Sequence, residues 1–419
     1  MIIGIDASRA TREQKTGVEW YAHHVIENLV KLDVQNQFVL YCDKKPDDWL
    51  KKLGERPNVK IKYLRWPFKF FWTQGRLSLE MLLCKLHGIP ARLAACLPVG
   101  RVGMAFAGMT KERPDVLFIP ASAMPIIHPK NTVAAIHDAG FMQYPESYGR
   151  RQRRYLKWST RFAVKYAKKI ITISEFSKQE LVKYFFIPSY SPPLKEGENL
   201  ADKVFVTHLG YDATKFKVIE NREAVNNVLA KYGISQPFVL SVGRLEYKKN
   251  TGGLIKAWTM LKNTPSSSSP GVGGGGHKLV LAGSPGYGWP EIEKLIKKNN
   301  LQNNIIILNY VSHNDLPYLY NGATALVFPS LYEGFGLPIL EAFACGTPVI
   351  AAQAGSLPEV GGEAVLYVNP DDIEALAQAM GNILKDANLR QELINKGRER
   401  AEQFEWEKCA RETLHILND

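Results

Sequence analysis

Two glutamates, Glu333 and Glu341, stand eight positions apart around a glycine-flanked phenylalanine and a proline in the run EGFGLPILEAFACGTPV. An ionised carboxylate only accepts hydrogen bonds, and it can take one from each hydroxyl of a vicinal diol. Spacing alone fits solvated or salt-bridged carboxylates equally well. Upstream, GRLEYKKN sets Arg244 and Lys249 close together, supplying the positive charge that a diphosphate needs. His137 in HDAGF and the glycine turn at Gly17 follow two other apolar runs. A nucleotide-linked sugar has two diols with a diphosphate between them, and so matches this set.

These residues must be positioned by elements that the sequence also signals. Short β-branched runs alternate with helix-length amphipathic stretches, the pattern of parallel sheets with crossover helices. Strands are expected at 2–6, 38–42, 116–120, 132–136, 169–174 and 203–208, and again at 237–243, 278–283, 304–310, 325–330, 348–352 and 364–368. In open α/β sheets ligands sit beyond the carboxyl ends of the strands, which is where Gly17, His137, Arg244, Lys249, the SPGYG turn and Glu333 fall. Pro338 suits the first turn of a helix and Gly346 its end, predicting a helix over 337–345 with Glu341 in its first turn, where the helix dipole favours a carboxylate. Thr16 with Glu19, and Ser177 with Glu180, fit the capping box. The same spacing at Ser330 and Glu333 is a false match, because two glycines follow at once. Asp47, Asp48, Asp371 and Asp372 read as helix-start residues.

The chain has 419 residues, 45% hydrophobic and 22% charged, enough for two domains with their own cores. Its net charge of +12 is uneven. Residues 1–210 carry 33 Lys and Arg against 19 Asp and Glu, whereas 211–419 carry 20 against 22. A surface for anionic partners therefore belongs to the first half. The stretch 61–110 is apolar and basic together, with Glu80 its single acid, and 150–169 adds nine basic residues and no acid. Both suit contact with anionic lipid or a phosphorylated acceptor, as well as a solvated helix face. The boundary is expected between Gly210 and about Glu223, and the low-complexity loop 263–276 reads as a surface insertion. Five scattered cysteines with no CxxC pair suit a reducing compartment. The start MIIGIDASRA lacks signal-peptide character, and no window of about 18 apolar residues follows. The expectation is a cytoplasmic protein.

The run 333–349, together with GRLEYKKN, TGVEWYAHHVIENL, HDAGF, SEFSKQEL and the ending FEWEKCARETL, resembles family 4 glycosyltransferases of the GT-B fold over nearly the whole chain. The resemblance implies an α/β protein of two Rossmann-like domains facing across a cleft, an acceptor-side domain at 1–212 and a nucleotide-sugar domain at 213–403. A C-terminal helix at 404–419, anchored by Phe404 and Trp406, would cross back to the first domain. It implies donor contacts from Gly17, Arg244, Lys249, Gly283, Val311, Glu333, Gly334, Phe335, Gly336, Leu337 and Glu341, with Glu341 on the ribose and Glu333 on the sugar. His137, Glu333, Arg244 and Lys249 would act at the reacting centre. No DxD pair follows a strand, so no metal and no cofactor beyond the donor is expected.

The bacterial mannosyltransferase-type branch is the nearest in motif, which favours GDP-mannose over a UDP-sugar. A glycan or lipid-linked acceptor, retention of configuration and peripheral contact with the inner face of an anionic membrane follow from the same resemblance. Nucleic acid is not expected, since no aromatic platforms interleave the basic residues. The alternatives are a GT-B nucleotide-sugar epimerase and a non-enzymatic basic membrane-binding protein. Two departures stand out: a longer stretch over 81–112, and Asn250 where glycine is the common residue.

Overall fold

The computed structural model describes residues 1–67, 71–86, 113–185, 200–263 and 276–419. Most of the long stretch 81–112 and of the loop 263–276 lies outside the described residues. The first sheet holds β1 (Ile2–Asp6), β2 (Gln37–Cys42), β3 (Val59–Tyr63), β4 (Val116–Ile119), β5 (Thr132–Ala135), β6 (Lys169–Thr172) and β7 (Val204–Val206) in the order β3-β2-β1-β4-β5-β6-β7. The second holds β8 (Phe238–Val242), β9 (Lys278–Ala282), β10 (Ile305–Leu308), β11 (Ala325–Phe328), β12 (Val349–Ala352) and β13 (Val365–Val368) in the order β10-β9-β8-β11-β12-β13. All pairings between these strands are parallel.

Parallel sheets covered by helices on both faces read as continuous apolar runs, and the central strands here are buried almost throughout. Every expected strand is present. The additional strand β3, VKIKY, alternates lysines with apolar residues at the sheet edge, so an apolar-run criterion passes over it. In each sheet the strand order reverses once, between β1 and β4 and between β8 and β11. These are the switch points where a doubly wound sheet leaves a crevice for a ligand.

One helix start differs from expectation. The helix Glu175–Phe185 begins two residues before Ser177, and its cap is Ser174, whose hydroxyl accepts from the Ser177 N–H at 3.0 Å. Ser177 is inside the helix, free to use its own hydroxyl elsewhere. At Thr16 the expected reciprocal geometry holds, with the Glu19 carboxylate accepting from the Thr16 N–H at 3.1 Å.

The last helix, Trp406–Asn418, returns to the first domain and lies on the helix Gly17–Leu32. The His24 ring stacks on Trp406 at 4.9 Å, and Lys169 donates to the Ile416 carbonyl at 3.1 Å. Where the chain crosses, a Cβ on Gly210 would sit 2.1 Å from the backbone nitrogen of Trp406. Backbone at that distance cannot yield as a flexible side chain would. Gly210→Ala is therefore expected to lower the melting temperature by an amount equivalent to about 1–3 kcal/mol. Gly252→Ala, on a helix with open space around it, should leave the melting temperature unchanged or raise it; equal losses in the two variants would overturn the close-approach account.

Candidate functional site

At the switch point of the second sheet, the loops after β8 and β11 leave a hollow of about 10 Å³ lined by Gly243, Arg244, Lys249, Thr251, Pro329 and Ser330 among others. Glycine at 283, just after β9, lets that loop meet the β8 loop, since a Cβ there would lie 1.8 Å from the Gly243 carbonyl oxygen. The Arg244 side chain is 65% exposed, and its guanidinium is 3.7 Å from the buried carboxylate of Glu246. Lys249 forms an ion pair with Glu333, the two side chains retaining 21% and 12% of their exposure. Two residues expected to meet a ligand thus meet each other, as the salt-bridged reading of the glutamate allows. Asn250 sits at φ 53, a left-handed conformation that glycine or asparagine takes readily, which explains its exchange for the commoner glycine.

The loop Glu333–Gly336 is held by its carbonyls. The Ser356 hydroxyl, with one proton to share, lies 2.7 Å from the Phe335 oxygen and 3.0 Å from the Glu333 oxygen, while Ser174 and Ser177 donate to the Gly334 oxygen at 2.7 and 3.2 Å. A trans peptide is planar, so its C=O and the next N–H point in opposite directions. Fixing three successive carbonyls therefore fixes the N–H groups of Gly334, Phe335 and Gly336, which find no acceptor among the described residues. Three aimed, unpaired donors at the start of the helix Leu337–Ala344 make an anion cradle. Gly355, at φ 60 with no room for a Cβ against Glu333, lets the Ser356 loop approach.

Glu341 departs from expectation. It is the fifth residue of the helix Leu337–Ala344, beyond the first turn, so the helix dipole does not govern it. Burial instead pushes its carboxyl up to about 7, moderated by the Tyr320 hydroxyl, which donates to it at 2.8 Å. Tyr320 carries no motif; only its place on the helix Leu316–Gly322 facing Glu341 reveals it.

In the first domain, His137 lies two residues beyond β5, buried edge-on to Tyr21 at 4.6 Å, with Nε2 3.0 Å from the Pro120 carbonyl. A carbonyl only accepts, so Nε2 carries the proton. Burial lowers the imidazole pKa, which keeps the ring neutral near pH 7. Asp138 accepts from the Gly140 N–H at 2.8 Å and shapes the loop. Gly17 lies exposed at the start of its helix with open space around it, Val311 packs half-buried on the core beyond β10, and Leu337 is half-buried at the start of the Glu341 helix. No hydrogen bond or ion pair among the described residues joins Gly17 or Val311 to the Arg244–Glu333 group. His23, His24 and Glu27 are the one set of metal-ligating side chains within 4.8 Å of one another among the described residues; they lie on the helix Gly17–Leu32, with the histidine rings stacked on Trp49 and Trp406.

The two domains touch directly at this site. The Ala139 N–H donates to the Tyr332 hydroxyl at 3.2 Å, the Tyr144 hydroxyl to the Leu331 carbonyl at 3.4 Å, and a Cβ on Gly334 would meet that of Asp138 at 2.9 Å.

Residues 227–400 match the family described as glycosyl transferases group 1. The O-antigen chain mannosyltransferase B of Escherichia coli is 32% identical over 68% of this chain and 70% of its own. The O-antigen chain mannosyltransferase RfbU of Salmonella typhimurium is 28% identical over 62% of this chain and 64% of its own. Among solved structures, sucrose-phosphate synthase from Thermosynechococcus elongatus superposes with a TM-score of 0.67 at 20% identity, covering 100% of this chain and 98% of that one. Anabaena HepE, in complex with UDP-glucose, gives 0.66 at 17%, with 100% and 99% covered. These similarities establish the GT-B architecture.

Because Glu341 titrates above its unfolded value, its stability contribution is complete below about pH 4.5 and is lost as pH rises through about 7. Wild type should therefore lose stability relative to Glu341→Gln between pH 5 and pH 8, by about 2 kcal/mol after allowance for partial exposure. Parallel thermal denaturation at the two pH values checks this; identical pH profiles would refute the buried-carboxyl account.

Proposed function

The chain belongs to the group 1 glycosyltransferases and is a glycosyltransferase, and on that premise we propose that it transfers mannose from GDP-mannose, with retention, to a glycan or lipid-linked acceptor in cell-surface polysaccharide synthesis. The observation that carries the reading is the meeting of Arg244, Lys249, Glu333 and three unpartnered N–H groups at the β8/β11 switch point. The named activities of the two enterobacterial relatives support mannose.

In this reading the donor diphosphate takes Lys249 from Glu333, and Arg244 and the N–H groups of Phe335 and Gly336 complete its neutralisation. Glu333, released, accepts from the sugar hydroxyls, and Glu341 accepts from the ribose. His137, neutral, serves as a hydrogen-bond partner near the anomeric carbon rather than as a charge. The bond from the anomeric carbon to the diphosphate breaks while the acceptor oxygen adds on the same face, and the acceptor proton passes to the leaving phosphate. The protein's main contribution is electrostatic stabilisation of the departing diphosphate, supplied by charges and dipoles already in place. No metal is required by this arrangement.

The proposal includes contact with anionic membrane at the inner face. The helix Arg150–Tyr166 exposes Arg150, Arg151, Arg153 and Arg154, and along it Trp158 stacks on Phe162 at 5.7 Å and Phe162 packs tilted on Tyr166 at 4.7 Å, with Trp158 and Tyr166 partly exposed. Exposed Ile126 and Ile127 lie on the adjoining loop, joined to the helix through Ser159 and the Ser122 carbonyl. Aromatic and aliphatic surface beside clustered arginine suits a headgroup region. Among the described residues no helix is long and apolar enough to cross a membrane.

Calorimetric titration with GDP, UDP, GDP-mannose and UDP-glucose tests the donor. Binding of the guanine pair alone is expected, and Arg244→Ala or Lys249→Ala should each lower kcat/KM by on the order of a hundredfold. Binding of UDP-glucose alone would replace the donor, and a folded protein that bound none would end the site reading. In flotation with anionic liposomes at low salt, wild type should rise with the vesicles, and replacement of the four arginines by glutamine should leave the protein below; a wild type that stayed below would refute membrane contact.

A further inference from the structure

Three sets of contacts cross the cleft beside the loop Glu333–Gly336, the serine set fully buried and the other two partly so. From the first domain, the fully buried Ser174 and Ser177 hydroxyls both donate to the Gly334 carbonyl, using both of its lone pairs. From the second domain, Glu359 accepts from the N–H groups of Glu175 and Phe176 at 2.8 and 3.2 Å, and from His208 Nε2 at 2.7 Å. Also from the second domain, Lys248 reaches the Tyr148 hydroxyl at 3.4 Å and lies 5.7 and 5.9 Å from the Tyr148 and Tyr332 ring centres.

We propose that these contacts act as one clasp, in which Ser174, Ser177, Lys248 and Glu359 are positioning residues that make the order of the donor loop depend on closure of the cleft. The inference rests on the reading of residues 333–341 as the donor site. Its core is the Gly334 peptide. The planar amide couples the direction of that carbonyl to the direction of the Phe335 N–H, so the donor offered to the diphosphate is aimed by hydroxyls of the other domain. Opening the cleft removes both serines at once and frees that peptide to turn.

Lys248 works in the opposite sense. Its backbone carbonyl accepts from the Leu331 N–H at 2.9 Å, which ties it to the strand-end loop that leads into Glu333. Its ammonium lies in the field of Asp138 from the first domain and of Glu246 and Glu333 from the second; burial disfavours the charge, but Asp138, Tyr148 and the two glutamates outweigh it and raise the pKa. Glu246 and Glu333 stay beside Lys248 whether the cleft is open or shut, whereas Asp138 and Tyr148 join it only while the domains are together. Closure, a correctly turned Phe335 N–H and a partnered Lys248 arise as one event. The hollow offers about 10 Å³, far below the roughly 300–1,000 Å³ of ordinary ligand sites, so the clasp opens to admit a donor and re-forms over it.

Ser177→Ala removes one hydroxyl and leaves the helix cap on Ser174 in place, and Lys248→Met keeps the length of the side chain without its charge. Small-angle scattering of the full chain without ligand should show a larger radius of gyration for the double variant than for wild type. In assays with GDP-mannose and UDP-glucose, kcat should fall by on the order of 5- to 150-fold, the range of ordinary coupling between sites, with a smaller change in donor KM. Ser177→Thr and Lys248→Arg should restore both readouts. An unchanged scattering profile, or a loss of kcat that the conservative variants fail to rescue, would overturn the clasp. The scattering comparison needs no ligand, so a wild type that bound no nucleotide would sink the donor reading and leave the clasp to be judged on its own.

Discussion

The first N–H groups of any helix lack a partner within it and carry a positive partial charge. In the helix Glu175–Phe185 that end is completed from outside its own domain, by Glu359, with His208 on the same carboxylate. Hydrogen bonding by His208 and by the two backbone groups offsets burial and holds the Glu359 carboxyl below its usual range. The contact places Ser174, the cap residue, where it reaches Gly334, and so brings the helix end against the loop that opens the helix Leu337–Ala344. The register of the two domains, the aim of the loop N–H groups and the approach of Asp138 to Gly334 all hang on this junction of helix ends.

Around that junction the charges alternate in sign: Asp138, Lys248, Glu333, Lys249. A ligand-free site that needs several like charges for its ligand would repel itself, and here each cation is held beside a carboxylate. In the proposed reading an incoming diphosphate takes the place of Glu333 at a lysine already withdrawn from bulk water, and the released carboxylate turns to sugar hydroxyls. Exchange of partners, rather than assembly of a site from solvated residues, limits the desolvation that binding must overcome.

Much of this was readable from the amino-acid order, because strands of a covered parallel sheet announce themselves as apolar runs and strand ends locate a crevice. β3 was not, since its lysines break the run, nor was the start of the helix at Ser174, because Ser177 and Glu180 also satisfy the capping spacing. The environment of Glu341 was misjudged by half a turn of helix, which replaces a dipole argument with burial against Tyr320. What no local pattern carries is the set of contacts between domains. Ser174 and Gly334 are joined across 160 positions, and neither residue has a signature that names the other.

The returning helix has a consequence for the order in which the molecule can be made. Its inner face, Trp406, Cys409, Ala410, Ile416 and Leu417, covers the helix Gly17–Leu32, near the start of the chain. A ribosome adding about 5–20 residues per second needs roughly ten seconds or more to go from β7 to that helix. Through that interval the nascent first domain carries an uncovered apolar strip that only the last part of the described chain can close. The second domain is synthesised and free to fold meanwhile, so the half that emerges first is the half completed last.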